Sequence, residues 1–146
     1  GNLSIKHLFL HLQLDCRFLH IDPGPGALTN MQRIRYDLTR TDSIVISHCH
    51  PDHYSDAACV IEGMTRGGWE KRGSLYGSET VINGAGGLGP AFSPYHLSRP
   101  AHVSTFKPGD VLDVDGLRVE ICKAVHSDPP RTWGSGWTRD TGYSRT

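Results

Sequence analysis

The sequence predicts an α+β domain in which short strands alternate with helices. The length of 146 residues suits one domain. Residues 43–47 form a β-branched apolar run bounded by polar residues, which is typical of a buried strand. Asp115-Gly116 separates two runs with alternating apolar residues, and this dipeptide indicates a β-hairpin because both central residues of its turn need a positive φ.

The other elements are predicted from apolar periodicity and turn residues. Residues 18–22 read as a strand ended by the Pro-Gly pairs at 23–26, and a helix is expected to begin at Thr29 as N-cap and end near Arg40. A second helix, capped by Ser55 or Asp56, is expected to end at Gly67-Gly68. The remaining predictions are strands at 74–76, 102–106, 111–114 and 117–122, a short helix at 79–83, and a loop at 84–90. Residues 6–14 contain no clear hairpin signal.

Composition excludes several classes of protein. The 15 Lys and Arg residues balance 15 Asp and Glu residues, so no overall charge favours a nucleic acid or an anionic membrane, although a local basic patch would allow nucleic-acid binding. No apolar run approaches the roughly 20 residues that a membrane helix needs, and the first residues lack the features of a signal peptide. We therefore expect a cytoplasmic protein with no membrane partner.

A cluster of metal-binding residue types follows the strand at 43–47. His48, His50, Asp52 and His53 lie within six residues, and several adjacent imidazoles are hard to satisfy as packed side chains. Residues two apart on an extended chain project to the same side, so His48 and His50 are expected to bind one metal ion. Pro51 bends the chain, which would direct Asp52 and His53 to a second ion.

The segment Ser47-His48-Cys49-His50-Pro51-Asp52-His53 resembles the His-x-His-x-Asp-His signature of the metallo-β-lactamase-fold hydrolases. Ile21-Asp22-Pro23-Gly24 resembles the first motif of that family, whose Asp orients the metal site. Val125-His126-Ser127 resembles the third motif, whose His completes the first metal site, and Asp140-Thr141-Gly142-Tyr143 resembles the fourth, whose Asp bridges the metals. The resemblance implies an αββα sandwich with its site at the strand ends.

The sequence departs from this family pattern near its end. No His follows His126, so the family's late His ligand has no counterpart, and only 14 positions separate His126 from Asp140. We therefore expect residues 1–146 to form one partial metallo-β-lactamase-like domain, with the N-terminal half to two-thirds present and the second half incomplete. An apolar face left by the missing part would favour a homodimer or another partner.

The resemblance implies a metal-dependent hydrolase that uses a metal-bound hydroxide on an ester, phosphodiester or similar bond. Zinc, in two ions, is the expected cofactor, and iron or manganese would accept the same donors. His48, His50 and His126 would bind the first ion; Asp52, His53 and Asp140 would bind the second, with Asp52 as the catalytic residue. The substrate is expected to be a small or nucleotide-like molecule. The alternative is a non-enzymatic remnant that binds a single metal ion.

Overall fold

The computed structural model describes residues 10–123, and the elements of this part of the chain follow in order. The strands are β1 (Leu10–Leu14), β2 (Arg17–Ile21), β3 (Ser43–Ile46), β4 (Ser74–Ser78), β5 (His102–Phe106), β6 (Val111–Val114) and β7 (Leu117–Glu120). The helices are α1 (Ala27–Arg33), α2 (Pro51–Tyr54), α3 (Ala57–Met64), α4 (Glu79–Ile82) and α5 (Pro94–Leu97), with a 3₁₀ turn at Leu38–Arg40. The described residues therefore form the predicted α+β structure.

A five-stranded sheet in the order β1-β2-β3-β4-β5 is the centre of the fold. β1 pairs antiparallel with β2, whereas β2 to β5 are parallel neighbours. Because the parallel strands follow their sequence order across the sheet, right-handed crossovers place the connecting helices on one face. The carboxyl ends of β2 to β5 then share one edge of the sheet, which we call the carboxyl edge.

The helix-covered face carries the larger apolar core. Ile44 and Ile46 of β3 pack with Ile61 and Met64 of α3 and with Leu75 of β4, and all five are fully buried. Each such side chain contributes about 1.5–3 kcal/mol through removal from water. This core holds β3 rigidly, and β3 leads directly into the His48 to His53 segment.

The opposite face of the sheet is covered by the β6–β7 hairpin, which forms a separate two-stranded sheet. Val114 packs with Leu19, Val45 and Tyr76 from the main sheet, and Phe106 joins them. The turn residue Asp115 has a φ of 53° and Gly116 a φ of 88°, as a hairpin at this dipeptide requires. The described residues thus form a helical layer and two β layers, in agreement with the expected sandwich.

Three expectations about local structure are wrong. β1 and β2 form a hairpin, with Leu10 opposite Ile21 and Leu14 opposite Arg17, where the sequence indicated none. Its turn uses Asp15 at a φ of 52°, a conformation that Asp tolerates without the glycine that usually signals such a turn.

The helix expected from Thr29 to Arg40 begins at Gly26 as N-cap and ends at Arg33. Arg35 adopts a left-handed φ of 52°, which interrupts the helix before the 3₁₀ turn.

Asp56 precedes α3 but does not cap it with its side chain, because its carboxylate accepts a hydrogen bond from the Leu28 amide at 3.1 Å. None of the helices in residues 10–123 is long and apolar enough to span a membrane.

Candidate metal centre

The candidate metal ligands lie at the carboxyl edge of the sheet, where β2 and β3 end. Asp22 follows β2, Ser47 and His48 follow β3, and Pro51 starts α2 directly after His50. Because His50 is still extended whereas Asp52 and His53 are helical, the chain turns back at Pro51. This turn brings His53 beside Asp22, which is 31 residues away in sequence.

Asp22 connects the two chain segments of the site. It is only 8% exposed and has a φ of 49°, so its carboxylate is held beneath the ends of the strands. One oxygen accepts the Ser47 amide at 2.7 Å, while the other lies 2.6 Å from the Ser47 hydroxyl and 2.9 Å from His53 Nδ1. A carboxylate with these partners orients the His53 ring and leaves Nε2 as its second nitrogen.

A relay of hydrogen bonds continues from Ser47 to the other two imidazoles. The Ser47 hydroxyl donates to Asp22, so it accepts from Nδ1 of His48 at 2.8 Å. His48 Nε2 lies 2.9 Å from Nδ1 of His50. The Ser47 contact assigns the Nδ1–H tautomer to His48 and places the lone pair of that ring on Nε2, the nitrogen that a metal ion would use.

The three imidazoles lie close together. The ring centroids of His48 and His53 are 4.0 Å apart, those of His48 and His50 are 4.4 Å apart, and those of His50 and His53 are 6.5 Å apart. Asp52 adds a carboxylate whose Oδ2 lies 3.7 Å from His53 Nε2. Imidazole and carboxylate donors of this kind suit Zn²⁺, Fe or Mn²⁺.

Close polar contacts connect Ser47, His48 and His50 within the cluster. In residues 10–123, no group of three or more His, Cys, Asp or Glu side chains has the geometry needed to hold a metal ion. Nε2 of His48 and Nδ1 of His50 face each other at 2.9 Å. The donor set of the cluster fits a metal ion.

The local electrostatics favour positive charge at His53. The hydrogen bond to Asp22 raises the pKa of His53 above its ordinary value, and burial of the ring opposes this. The charges of Asp22 and Asp52 act in the same direction as the hydrogen bond. A cation, whether a proton or a metal ion, is therefore stabilised at this position.

Glycine and a buried thiol allow the backbone around the ligands to pack closely. A Cβ placed on Gly24 would overlap the carbonyl oxygen of Asp52, so the loop after β2 lies directly against the α2 segment. The Asp56 amide donates to the Pro23 carbonyl at 3.0 Å and fixes the same contact. Cys49 is 1% exposed, which agrees with the packing role expected from its position between two candidate ligands.

The structure brings together His48, His50, Asp52 and His53, whereas the predicted ligands His126 and Asp140 lie outside the described residues. Two other histidines lie outside this cluster. His96 Nε2 lies 3.2 Å from the carboxylate of Glu62, a residue of α3, and His20 is buried beside Thr41. The role of Ser47 was not predicted from the sequence. The signal for it was its position, since a hydroxyl residue directly follows a buried strand and precedes a candidate ligand.

Comparison with known proteins agrees with this fold. A family model described as the beta-lactamase superfamily domain matches residues 17–143. Uncharacterized protein MJ1374 of Methanocaldococcus jannaschii is 36% identical over 125 residues, which are 86% of this chain and 46% of that protein. Ribonuclease Z of Methanosarcina acetivorans is 29% identical over 108 residues, which are 74% of this chain and 35% of the ribonuclease.

Solved structures share the fold. The metallo-beta-lactamase fold protein YhfI from Bacillus subtilis superposes with a TM-score of 0.61 at 16% identity, over 88% of this chain and 50% of YhfI. The MIM-2 metallo-beta-lactamase superposes with a TM-score of 0.52 at 23% identity, over 80% of this chain and 45% of the lactamase chain. The chain thus spans between about a third and a half of the length of these proteins. It belongs to the beta-lactamase superfamily domain family and has the metallo-β-lactamase fold.

Proposed function

We propose that this chain carries the metal-binding half of a hydrolase centre that acts on ester or phosphodiester bonds. The observation that carries the proposal is the Asp22 carboxylate, which holds Ser47 and His53 together at the carboxyl edge of the sheet. A buried carboxylate that orients imidazoles toward one point is the usual support of a metal site.

The proposed ligands fall into two groups. His48 and His50, with His126, would hold one ion; Asp52 and His53, with Asp140, would hold a second. A divalent ion held by these residues would supply a water nucleophile at neutral pH, because coordination lowers the pKa of water to about 7. Zinc suits the imidazole-rich donor set, and iron or manganese is the alternative.

The residues of the chain have separate parts in this function. Asp22 accepts a hydrogen bond from the Nδ1–H group of His53 and so keeps Nε2 of that ring available as a metal ligand. The Ser47 hydroxyl does the same for His48 through the Nδ1 contact. Asp52 lies in the first turn of α2, where its carboxylate can bind a metal ion and can also accept a proton from the reacting water.

A phosphodiester is the favoured substrate class. Ribonuclease Z, one of the relatives, is by name an enzyme that cleaves RNA, and it shares 29% identity with this chain over 108 residues. The proposal for this chain is accordingly a nucleotide-like or small phosphodiester substrate, with a carboxylic ester or thioester as the second choice.

Metal content and hydrolysis measured on the same preparation test the proposal. We expect the full chain to bind zinc by elemental analysis and to hydrolyse bis-p-nitrophenyl phosphate, with loss of turnover on chelation and recovery on adding zinc. His50→Ala should lower zinc affinity by more than the roughly 10–100-fold typical of losing a residue that only orients a ligand. His102→Ala is the matched control, because His102 is exposed at the opposite end of the sheet.

The outcomes separate the two functions considered. Zinc binding with chelator-sensitive turnover supports the hydrolase. Binding of one zinc ion that depends on His48 and His50, without turnover, would instead favour the non-enzymatic metal-binding remnant. Absence of zinc binding at neutral pH, or equal binding by the His50→Ala and wild-type chains, would contradict both.

A further inference from the structure

A tryptophan outside the candidate metal centre is almost fully exposed. Trp69 has 91% of its surface accessible, the highest value among the exposed large hydrophobic residues at 10–123. It lies in the connection between α3 and the start of β4. The Ser74 amide at the start of β4 donates to the carbonyl of Asp42, the residue before β3, at 2.9 Å, so the starts of these parallel strands share one edge of the sheet. Trp69 therefore lies at this edge, opposite the candidate metal ligands. Tryptophan is usually well buried and is enriched in binding sites, so a solvent-exposed indole indicates a binding surface.

The backbone holds this indole outward by a turn that needs glycine. Gly67 and Gly68 have φ values of 73° and 77°, which other residues rarely adopt. A Cβ on Gly68 would also overlap the Tyr95 hydroxyl, so Tyr95 packs directly on the turn. Nη1 of Arg99 donates to the Gly68 carbonyl at 3.2 Å and fixes the turn from the same side.

Tyr95 and Arg99 extend the aromatic surface. Tyr95 is 49% exposed, and the guanidinium carbon of Arg99 lies 4.9 Å from the centre of its ring, a cation–π contact. The exposed indole of Trp69 and the exposed phenol of Tyr95 therefore both lie next to the Gly67-Gly68 turn, and a planar cation lies over the Tyr95 ring. We call Arg66, Trp69, Lys71, Tyr95 and Arg99 the Trp69 surface.

The charge of this surface is positive. Arg66, Lys71 and Arg99 supply three cations, and the nearby carboxylate Glu70 pairs with Arg66 at 3.3 Å. The next carboxylate, Glu62, is engaged by His96 at 3.2 Å. Lys71 and Arg66 are both exposed, so an anionic partner can reach them without rearrangement of the fold, and Arg66 would exchange its contact with Glu70 for the partner.

We propose that the Trp69 surface binds a single-stranded nucleic acid, with bases stacked on Trp69 and Tyr95 and phosphates neutralised by Arg66 and Lys71. Stacking on aromatic rings combined with cations along the backbone is the chemistry by which proteins hold single strands without reading sequence. An acidic peptide would use the cations but not the exposed rings. An apolar protein partner would use the rings but would leave the cations desolvated.

Fluorescence anisotropy of a labelled oligouridylate with the full chain at low salt tests this surface. Trp69→Ala is expected to weaken binding by about tenfold or more, since stacking contributes substantially per base. Trp69→Phe should recover most of the affinity because a ring remains. Lys71→Gln should reduce the slope of log K against log salt concentration by about 1.

Controls distinguish stacking from general attraction of anions. A duplex RNA and polyglutamate should bind at least about tenfold more weakly than the single strand, because neither offers free bases. The melting temperature of Trp69→Ala should match the wild-type value, since the side chain makes little contact with the core. The proposal is overturned if Trp69→Ala binds as tightly as the wild-type chain, if polyglutamate or anionic vesicles compete equally, or if no binding occurs at low salt.

This inference does not depend on the proposed hydrolase. His50→Ala should bind the oligouridylate normally, and Trp69→Ala should hydrolyse bis-p-nitrophenyl phosphate at the wild-type rate. Failure at the Trp69 surface would therefore leave the zinc measurements unaffected, and failure at the metal centre would leave the oligonucleotide measurements unaffected.

Discussion

Asp22 Oδ2 lies 2.9 Å from His53 Nδ1, and this contact joins the end of β2 to the first turn after β3. The same carboxylate also accepts the amide and hydroxyl of Ser47. Three groups from two segments are therefore held by one buried side chain. Because a buried acceptor with several donors has few alternative arrangements, this carboxylate determines how the imidazole cluster is assembled.

Substitution Asp22→Asn tests that role. The amide keeps the shape of the side chain, but its NH₂ group cannot accept a hydrogen bond from Ser47 or His53. The NH₂ group therefore faces another hydrogen-bond donor and leaves it unsatisfied. We expect zinc affinity to fall by about 10–100-fold and the free energy of unfolding to fall by about 1–3 kcal/mol. Competition with a chelating dye and urea unfolding measure the two effects.

Asp115→Asn is the matched control for Asp22→Asn. Asp115 also accepts from a serine hydroxyl, that of Ser43 at 2.5 Å, and pairs with Arg17 at 3.2 Å. It lies at the opposite end of β3 from the metal centre, so stability should fall while zinc affinity stays unchanged. Equal losses of zinc affinity in the two variants would contradict the orienting role of Asp22.

Gly24→Ala tests the close approach of the loop after β2 to the α2 segment. The added methyl would overlap the Asp52 carbonyl, which is backbone and cannot move alone. We expect a loss of about 1–3 kcal/mol in the free energy of unfolding together with weaker zinc binding, because Asp52 and His53 must shift.

Gly26→Ala separates that overlap from backbone strain. Gly26 has a left-handed φ of 90°, and a Cβ there would meet nothing within 4 Å. This variant should lose only about 1 kcal/mol from strain and should retain its zinc affinity. If both variants bind zinc equally well, close packing at Gly24 does not position the ligands.

Stability should fall in acid because of His20. The ring is 0% exposed, and burial followed by the charge of His11 lowers the pKa of His20 to about 3. The unfolded chain protonates His20 near pH 6.5, so between pH 6.5 and about 3 the unfolded state binds more protons. This stabilisation is complete above pH 6.5 and declines by up to about 1.4 kcal/mol per pH unit as the pH falls.

Urea unfolding of the metal-free chain at pH 7 and pH 5 measures this dependence. His20→Asn keeps a hydrogen-bonding group for Thr41, which lies 3.2 Å from His20 Nε2, but cannot titrate. It should therefore lose less stability than the wild-type chain between the two pH values, by up to about 2 kcal/mol. His102→Asn, at an exposed position, should behave like the wild-type chain; a wild-type pH dependence in His20→Asn would refute the assignment.

Thiol labelling should distinguish Cys49 from the other cysteines. Cys16, Cys59 and Cys122 are exposed, whereas Cys49 is buried against the site. Burial raises the pKa of the Cys49 thiol, with a smaller opposing effect from the Tyr54 hydroxyl. Brief treatment with iodoacetamide should alkylate three cysteines in the native chain and the fourth only in denaturant, as peptide mass spectrometry will show. Rapid native labelling of Cys49 would contradict its packing role.

Local signals predicted most of the secondary structure. The β-branched run at 43–47 and the Asp115-Gly116 dipeptide both reflect preferences of single residues, and β3 and the β6–β7 hairpin form there. The β1–β2 hairpin and the end of α1 were mispredicted because non-glycine residues, Asp15 and Arg35, adopt left-handed conformations. The adjacent sequence contains no signal for a residue whose backbone is held in the left-handed region by the surrounding structure.

The sequence by itself determined the set of candidate metal-binding residues, because the spacing of His48, His50, Asp52 and His53 and the β-branched strand before them are local properties of the chain. Only the tertiary structure decided that Asp22 supports His53 and that Ser47 connects Asp22 to His48. It also decided that the Trp69 surface lies at the edge opposite the metal centre. The contacts of Asp22 join residues 25 and 31 positions apart in sequence, and they depend on parallel strand pairing and right-handed crossovers, which residue preferences alone do not specify.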